Sequence, residues 1–288
     1  MGRNVPAWLA PASLEEALAL RASYGDEATV VAGGTFVAIL LNQRLLAPAA
    51  FLSLQHIDEL AFIAAEQGQL RLGAMTTHRA VERAAPVREH WPVIASTFSL
   101  VASPRVRNQA TVGGVLADAD YASDPPALFT ALNATAIARD TRGERAIPLE
   151  ELITGYYETS LRPDELLVEV RVPDKVEGAV YRKFRSRSSE DRPCVAVAAA
   201  RVEGRLRVVV GAVAERPQYF PDICTLADRE PLSRELATEI GRRYAEAIEP
   251  ISDSRGSASY RKRIIAVEVR RALEELGGAT GEKEEAKP

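Results

Sequence analysis

Apolar residues recur along this chain at two periods, and the switches between them cut it into segments. Over residues 13–23, Leu14, Ala17, Leu18 and Ala22 fall on one face at helical spacing. Ser13 and Glu16 have capping-box spacing at its start, and Gly25-Asp26 ends it. A short apolar run over 28–32 predicts a strand leading into Gly33-Gly34. Ala38, Leu41 and Leu45 then suit a helix or turn over 35–46, closed by Pro48, and 51–54 predicts a further strand. Residues 1–56 therefore read as a small unit of βαβ type.

The next stretch mixes both periods. Leu70 and Leu72 alternate against Gln69 and Arg71, so 60–65 and 69–73 predict a hairpin around Gly68. Helices are expected over 77–85, with Thr77 as cap, over 91–101, and from Pro126 to residue 132. A hairpin over 135–139 and 144–148 turns at Asp140-Thr141-Arg142-Gly143, and a strand over 166–172 stops at Pro173. A third unit opens near residue 175, with a strand over 180–185. Its clearest hairpin runs over 194–202 and 205–213, joined by Glu203-Gly204. Two helices follow. Leu236, Ile240 and Tyr244 line one over 233–248; Ile264, Ile265, Val269, Ala272, Leu273 and Leu276 line the other over 259–276. The expected division is 1–56, 57–174 and 175–276. Gly277-Gly278-Ala279-Thr280-Gly281 and the charged end predict a disordered tail over 277–288.

Composition narrows the chemistry. With 47% apolar and 26% charged residues in 288, an ordinary globular core is available. A net charge of −4 is too small to imply a polyanionic partner. No apolar run reaches the roughly 18–20 residues that cross a bilayer, and the N-terminus lacks a signal-peptide core, so a cytoplasmic location is expected, with membrane association only through a complex. The two cysteines, Cys194 and Cys224, read as reduced thiols and are too few to ligate an iron–sulfur cluster. His56, His78 and His90 show no metal-ligand spacing, and no nucleophile elbow or Walker loop occurs. Any redox role therefore requires a borrowed organic cofactor. Residues 182–192 carry five basic side chains, readable as a solvated edge, a cofactor-phosphate contact or a docking surface. Glu190 and Asp191 interrupt that patch, which disfavours nucleic acid.

Two glycine turns stand out: Val30-Val31-Ala32-Gly33-Gly34-Thr35-Phe36 and Asn108-Gln109-Ala110-Thr111-Val112-Gly113-Gly114. Paired glycines permit positive φ and let main-chain N–H groups form an anion-binding nest. One such pair is usually only a turn. Two facing nests could hold a pyrophosphate, and a helix starting near Thr35 would add its N-terminal dipole. The loop after the second turn carries Asp118, Asp120 and Asp124, which serve as turn and cap residues or, at Asp124, as acceptor for a ligand hydroxyl. Calcium is a third option, but the loop lacks the Glu and the spacing of calcium loops.

Together these segments resemble the FAD-binding medium subunit of molybdenum hydroxylases, the aerobic carbon monoxide dehydrogenase and xanthine dehydrogenase group. The resemblance is carried by Ala32-Gly33-Gly34-Thr35, Leu72-Gly73-Ala74-Met75-Thr76-Thr77-His78, Arg107 to Gly114, Ala122-Ser123-Asp124, Pro163-Asp164-Glu165-Leu166-Leu167, Tyr181-Arg182-Lys183-Phe184 and Ser257-Ala258-Ser259-Tyr260-Arg261. It implies an α+β chain: a two-lobed FAD-binding fold of the vanillyl-alcohol-oxidase (PCMH) type, then a C-terminal α+β domain of the carbon monoxide dehydrogenase flavoprotein.

It further implies FAD extended between units one and two, with Val30, Val31, Ala32, Gly33, Gly34, Thr35 and Phe36 cradling the pyrophosphate through N–H groups. Thr111, Val112, Gly113 and Gly114 would clamp it from the other side, the Thr111 hydroxyl donating. Asp124 would hold a polar part of the cofactor, Val101 and Leu167 the apolar walls, and Arg185 or Lys183 the flavin end; His78 would be structural.

The implied complex is a heterotrimer, expected as a dimer of heterotrimers. A large partner bears the molybdenum cofactor, a small partner bears [2Fe-2S] clusters, and this chain passes electrons through FAD to an external acceptor with no catalytic residue of its own. Two departures stand against the pattern. Relatives often carry Ser or Asp at Phe36 and Asn at Val115, each change removing about 0.5–1.5 kcal/mol of polar contact. A flavin-free assembly subunit with a decayed site is the alternative these departures favour. A free-standing flavin oxidase would need acid–base groups over the flavin that the few histidines do not supply.

Overall fold

The computed structural model describes residues 5–285 except 67, 175, 187, 189–191, 229 and 230, with side chains to residue 278. The first sheet is parallel, in the order β1 (Ala7–Leu9), β3 (Ala50–Ser53), β2 (Ala28–Val31). Helices α1 (Leu14–Tyr24) and α2 (Thr35–Asn42) make its crossovers. The α1 start is as the spacing predicts: Ser13 Oγ accepts from Glu16 N, and Glu16 reaches back to Ala12 N at 2.9 Å. Strand β1 is absent from the sequence reading because three half-exposed residues show no period. Helix α2 stops at Asn42, short of the expected 46, and the chain turns through a positive φ at Arg44.

The second sheet is antiparallel. Its strands are β4 (Ile63–Glu66), β5 (Gln69–Gly73), β6 (Thr135–Arg139), β7 (Glu144–Pro148) and, after a small β8 (Ile153–Gly155)–β9 (Glu158–Thr159) hairpin, β10 (Leu166–Val172). Their order is β4-β5-β10-β6-β7. The 135–148 hairpin has the expected bounds and register, Ile137 opposite Ala146. Helices α3 (His78–Arg83), α4 (Ala85–His90), α5 (Pro92–Ser99), α6 (Pro104–Arg107), α7 (Val112–Ala117), α8 (Asp124–Ala131) and α9 (Leu149–Leu152) fill the space around it. The single helix expected over 77–85 is broken at an extended Ala84: Pro86 has no N–H to give the Glu82 carbonyl and its ring would clash with it, so the helix cannot run through and α4 starts afresh with the proline in its first turn. Helix α8 begins at Asp124, two residues before the expected Pro126. Both prolines lie in its first turn, where N–H groups have no intrahelical partner to lose.

The third sheet runs β11 (Val176–Phe184), β12 (Val195–Val202), β13 (Arg205–Gly211), β14 (Gln218–Tyr219), all antiparallel. It is buried on both faces. Val195 and Val197 of β12 meet α11 (Arg234–Ala247) and α12 (Ala258–Glu285), which follow the short α10 (Pro221–Cys224), in one apolar cluster. Ala198 and Ala200 face the other way, into the cluster that holds Leu70, Leu72, Leu128 and Phe129. Small side chains on that face let the wholly buried α8 lie close to the sheet. Helix α12 continues through Gly277-Gly278 to Glu285, which corrects the expected disordered tail from 277 to that extent. Extending an existing helix gains a hydrogen bond per residue without a new nucleus. Residues 286–288 of that tail, and positions 187 and 189–191 of the basic stretch, lie outside the described residues.

Candidate functional site

Strand β2 delivers the first glycine turn to the start of α2. Gly33 is pressed against the second turn. A Cβ built on it would overlap the Gln109 carbonyl oxygen and lie 2.6 Å from its carbon and 3.1 Å from Ala110 Cα. Gly34 caps α2 with φ +70°, the left-handed region that glycine enters freely. The first bond into the helix is Ala38 N to Gly34 O at 2.9 Å. Among the described residues, the N–H groups of Gly33, Gly34, Thr35, Phe36 and Val37 donate to no protein acceptor. Five consecutive free donors at the start of an eight-residue helix are chemically suited to an anion.

The second turn is built differently. Val112 N donates to Thr76 O at 2.9 Å, Gly113 N to Ala74 O at 2.8 Å, and Gly114 N to Thr111 Oγ1 at 3.1 Å. These three N–H groups are therefore spent inside the chain, which corrects the expectation of a second open nest. Thr111 Oγ1 takes the Gly114 N–H on a lone pair and keeps its own proton to donate. His78 braces this turn twice: its N donates to Ala110 O at 2.8 Å, and its Nε2 to Thr111 O at 3.1 Å. Burial pushes its imidazole down to about 4, so the ring is neutral near pH 7; its buried Nδ1 finds no partner among the described residues.

Between the turns lies a cavity of about 650 Å³. Val30, Ala32, Gly33, Gly34, Thr35 and Phe36 line it from one side; Val101, Thr111, Gly113, Gly114, Asp124, Leu167 and Lys183 line it from the other. Three expected residues are not brought to it. Val31 and Val112 are buried in packing, and Arg185 is not among the lining residues. Asp124 is engaged already. Tyr181 OH donates to its Oδ1 at 2.6 Å and Lys183 Nζ to its Oδ2 at 2.8 Å, while Nζ also donates to Leu100 O at 2.9 Å. Burial raises the Asp124 carboxyl above its ordinary value, with the Lys183 charge opposing.

Asp118 lines the cavity too. Burial and the nearby Asp120 charge push it up to about 7, against the pull of Arg192. Asp120 is held by Arg192 Nη1 at 2.6 Å and Ala122 N at 3.1 Å. No three-carboxylate calcium site forms, and no metal-binding group occurs among the described residues.

Sequence reasoning passed over Tyr157, which lines the cavity and stacks on Phe36 with centroids 5.7 Å apart and planes at 15°. The signal available was the Tyr156-Tyr157 doublet after Gly155, two aromatics at a turn. The arrangement fits a dinucleotide diphosphate. It offers free helix-start donors for the anion, a glycine that only backbone contact can explain, and a volume within the roughly 300–1,000 Å³ of cofactor pockets.

Comparison with known proteins agrees. Residues 3–175 match the family described as the FAD binding domain in molybdopterin dehydrogenase, and residues 179–276 the CO dehydrogenase flavoprotein C-terminal domain. The chain is 31% identical over 277 residues to the nicotine 6-hydroxylase medium subunit of Paenarthrobacter nicotinovorans, covering 95% of this chain and 98% of that one. It is 30% identical over 276 residues to the carbon monoxide dehydrogenase medium chain of Afipia carboxidovorans, covering 92% and 94%. Among solved structures, quinoline 2-oxidoreductase from Pseudomonas putida 86 superposes with a TM-score of 0.88 at 28% identity, over 97% of this chain and 99% of that one. Reconstituted CO dehydrogenase from Oligotropha carboxidovorans gives 0.89 at 27%, over 96% and 99%. By its two domains in this order, its cavity and its relatives along nearly the full length, the chain belongs to the FAD-binding medium subunits of the molybdenum hydroxylase family.

Proposed function

We propose that the chain holds one FAD across the cleft between its first two sheets. It takes electrons from [2Fe-2S] clusters on a small partner and passes them to an external acceptor, while substrate is oxidised at a molybdenum cofactor on a large partner. The observation that carries this reading is the run of free N–H groups from Gly33 to Val37 on the cavity wall. The isoalloxazine ring supplies the redox chemistry when FAD is bound; the protein supplies position, electrostatics and exclusion of water.

In this reading the turn from Val30 to Phe36 receives the diphosphate on backbone donors, and the Thr111 hydroxyl donates from the facing wall. Val101 and Leu167 give the apolar surface. Asp124 and Lys183, locked on each other, present a fixed polar pair and leave no loose charge to shift on binding. Arg185, off the cavity wall, acts through its charge on Asp124. The units 1–56 and 57–174 act as the two lobes, and 175–276 is the C-terminal domain. We further propose a dimer of heterotrimers in the cytoplasm, without nucleic acid. No helix among the described residues is long and apolar enough to cross a membrane.

Native co-purification tests the reading. The expected result is a three-subunit complex with one FAD per copy of this chain, absorbing near ~450 nm and bleached by substrate. A colourless complex that FAD cannot reconstitute would favour the assembly-subunit alternative. A stable flavin-bearing monomer with dehydrogenase activity of its own would refute the relay.

A further inference from the structure

The tip of the β8–β9 hairpin is built against local preference. Gly155 pairs with Glu158, so Tyr156 and Tyr157 are the two turn residues. Tyr157 has φ +60°, where glycine is the usual occupant and a bulky side chain is strained. Such strain persists only where the surroundings impose it. Here they do. Tyr157 N donates to Ala119 O at 3.2 Å. Tyr156 meets Tyr121 edge-on at 5.5 Å, and Tyr121 OH donates to Asp253 Oδ2 at 3.1 Å. The tip is thus tied to both the second and the third unit, and it directs the Tyr157 ring onto Phe36 of the first.

Among the described residues this stack is the aromatic contact that joins the first unit to the second. Both rings line the cavity, and Phe36 belongs to the run of free donors at the start of α2. Tyr157 remains 51% exposed, so its outer face meets solvent. No hydrogen bond from its hydroxyl is found among the described residues; the ring alone makes the contact. The Phe36 ring, for its part, is matched by a ring partner.

We propose that Phe36 and Tyr157 form a latch that bridges the two walls of the cavity and retains FAD against release. The proposal rests on the reading of the cavity as a FAD site. Both are positioning residues: they hold the walls together and leave the chemistry to the cofactor. A stacked pair biases the closed over the open arrangement by about two- to twelvefold, and the release rate carries that factor.

The test is FAD release from the holo complex, read as the rise of free-flavin fluorescence after dilution. Four variants are compared with the parent: Tyr157→Gly, Phe36→Leu, the two combined, and Tyr157→Phe. Glycine suits φ +60°, so Tyr157→Gly removes the ring without straining the hairpin, and far-UV circular dichroism checks that the fold is kept. The expected result is release several-fold faster in each single variant, no faster again in the double variant, and parental in Tyr157→Phe. Parental release rates in both Tyr157→Gly and Phe36→Leu overturn the latch, and so do effects that multiply in the double variant. A parent protein that neither carries nor takes up FAD overturns the cofactor reading itself, and the latch with it.

Discussion

Gly33 is a glycine for want of space, whereas Gly34 is one for its backbone angle. The two cases separate cleanly by substitution. In Gly33→Ala the new methyl collides with the Gln109–Ala110 backbone, which no side-chain rotation can relieve, so the two turns must part. The expected cost is about 3 kcal/mol or more by urea unfolding, together with loss of FAD binding. Gly34→Ala finds room, its nearest neighbour being Val31 Cγ1 at 3.6 Å, and costs only the left-handed φ, about 1–2 kcal/mol. Equal effects at the two sites would show that contact between the turns is not what Gly33 serves.

Two titrating groups on the cavity wall, His78 buried and Asp118 half-buried, pull stability in opposite directions. Asp118, pushed up to about 7, keeps a proton that the unfolded chain has released, so its contribution falls as pH rises from about 4 to 7. His78, pushed down to about 4, stays neutral while the unfolded chain takes a proton, so its contribution rises over about pH 4 to 6.5. Relative to the parent, Asp118→Asn is expected to gain urea resistance progressively up to pH 7 and no further above it. His78→Gln should recover ground only as pH drops below about 6.5. Parallel profiles for parent and variant would refute the assignment of either group.

At the scale of elements, α8 and β11 are joined by the Asp124–Lys183 pair, with side chains 5% and 2% exposed. Removing one partner strands the other, but unequally. Asp124→Ala leaves a buried ammonium with only the Leu100 carbonyl, for an expected loss of about 3–5 kcal/mol. Lys183→Met leaves a carboxyl that burial already inclines to protonate, and the loss should be smaller at the lower of two pH values. Urea midpoints at the two pH values decide it.

What was legible in the sequence follows the same division between local and distant causes. The hairpins at 135–148 and 195–211 were readable because alternation and turn residues sit within a dozen positions of each other. The start of α1 was readable for the same reason. Strand β1 was not, since its three residues are a strand only by pairing with β3, some forty positions later. The open donors of the first glycine turn were legible because they are its own. The second was misjudged because the acceptors that consume its N–H groups, Ala74 O and Thr76 O, come from a segment that nothing local connects to it. Tyr157 likewise acquires meaning only from Phe36, more than a hundred residues away.

Over the whole molecule, neither of the first two units closes its core alone, and the third, which closes one cluster by itself, shares another. The cluster under the first sheet, with Leu14, Leu18 and Leu52, takes in Ile137, Leu166 and Val168 from the second. The second sheet shares its cluster with Ala198, Ala200 and Val209 of the third. Shared apolar burial couples the stability of neighbours, so all three should unfold in one cooperative transition despite the three sheets. The chain carries a natural pair of reporters: two tryptophans, Trp8 in the first unit and Trp91 in the second. In Trp8→Phe and Trp91→Phe proteins, the remaining fluorescence follows one unit at a time. The two thermal midpoints are expected to coincide with each other and with far-UV circular dichroism. FAD at about 100 times its dissociation constant should raise them together, by about 2.7 kcal/mol, or roughly 4–5 °C for a chain of this size. A cofactor that raised the Trp91 midpoint and left the Trp8 midpoint behind would mean that it binds the second lobe without bridging to the first. The Gly33 turn would then lie outside the site.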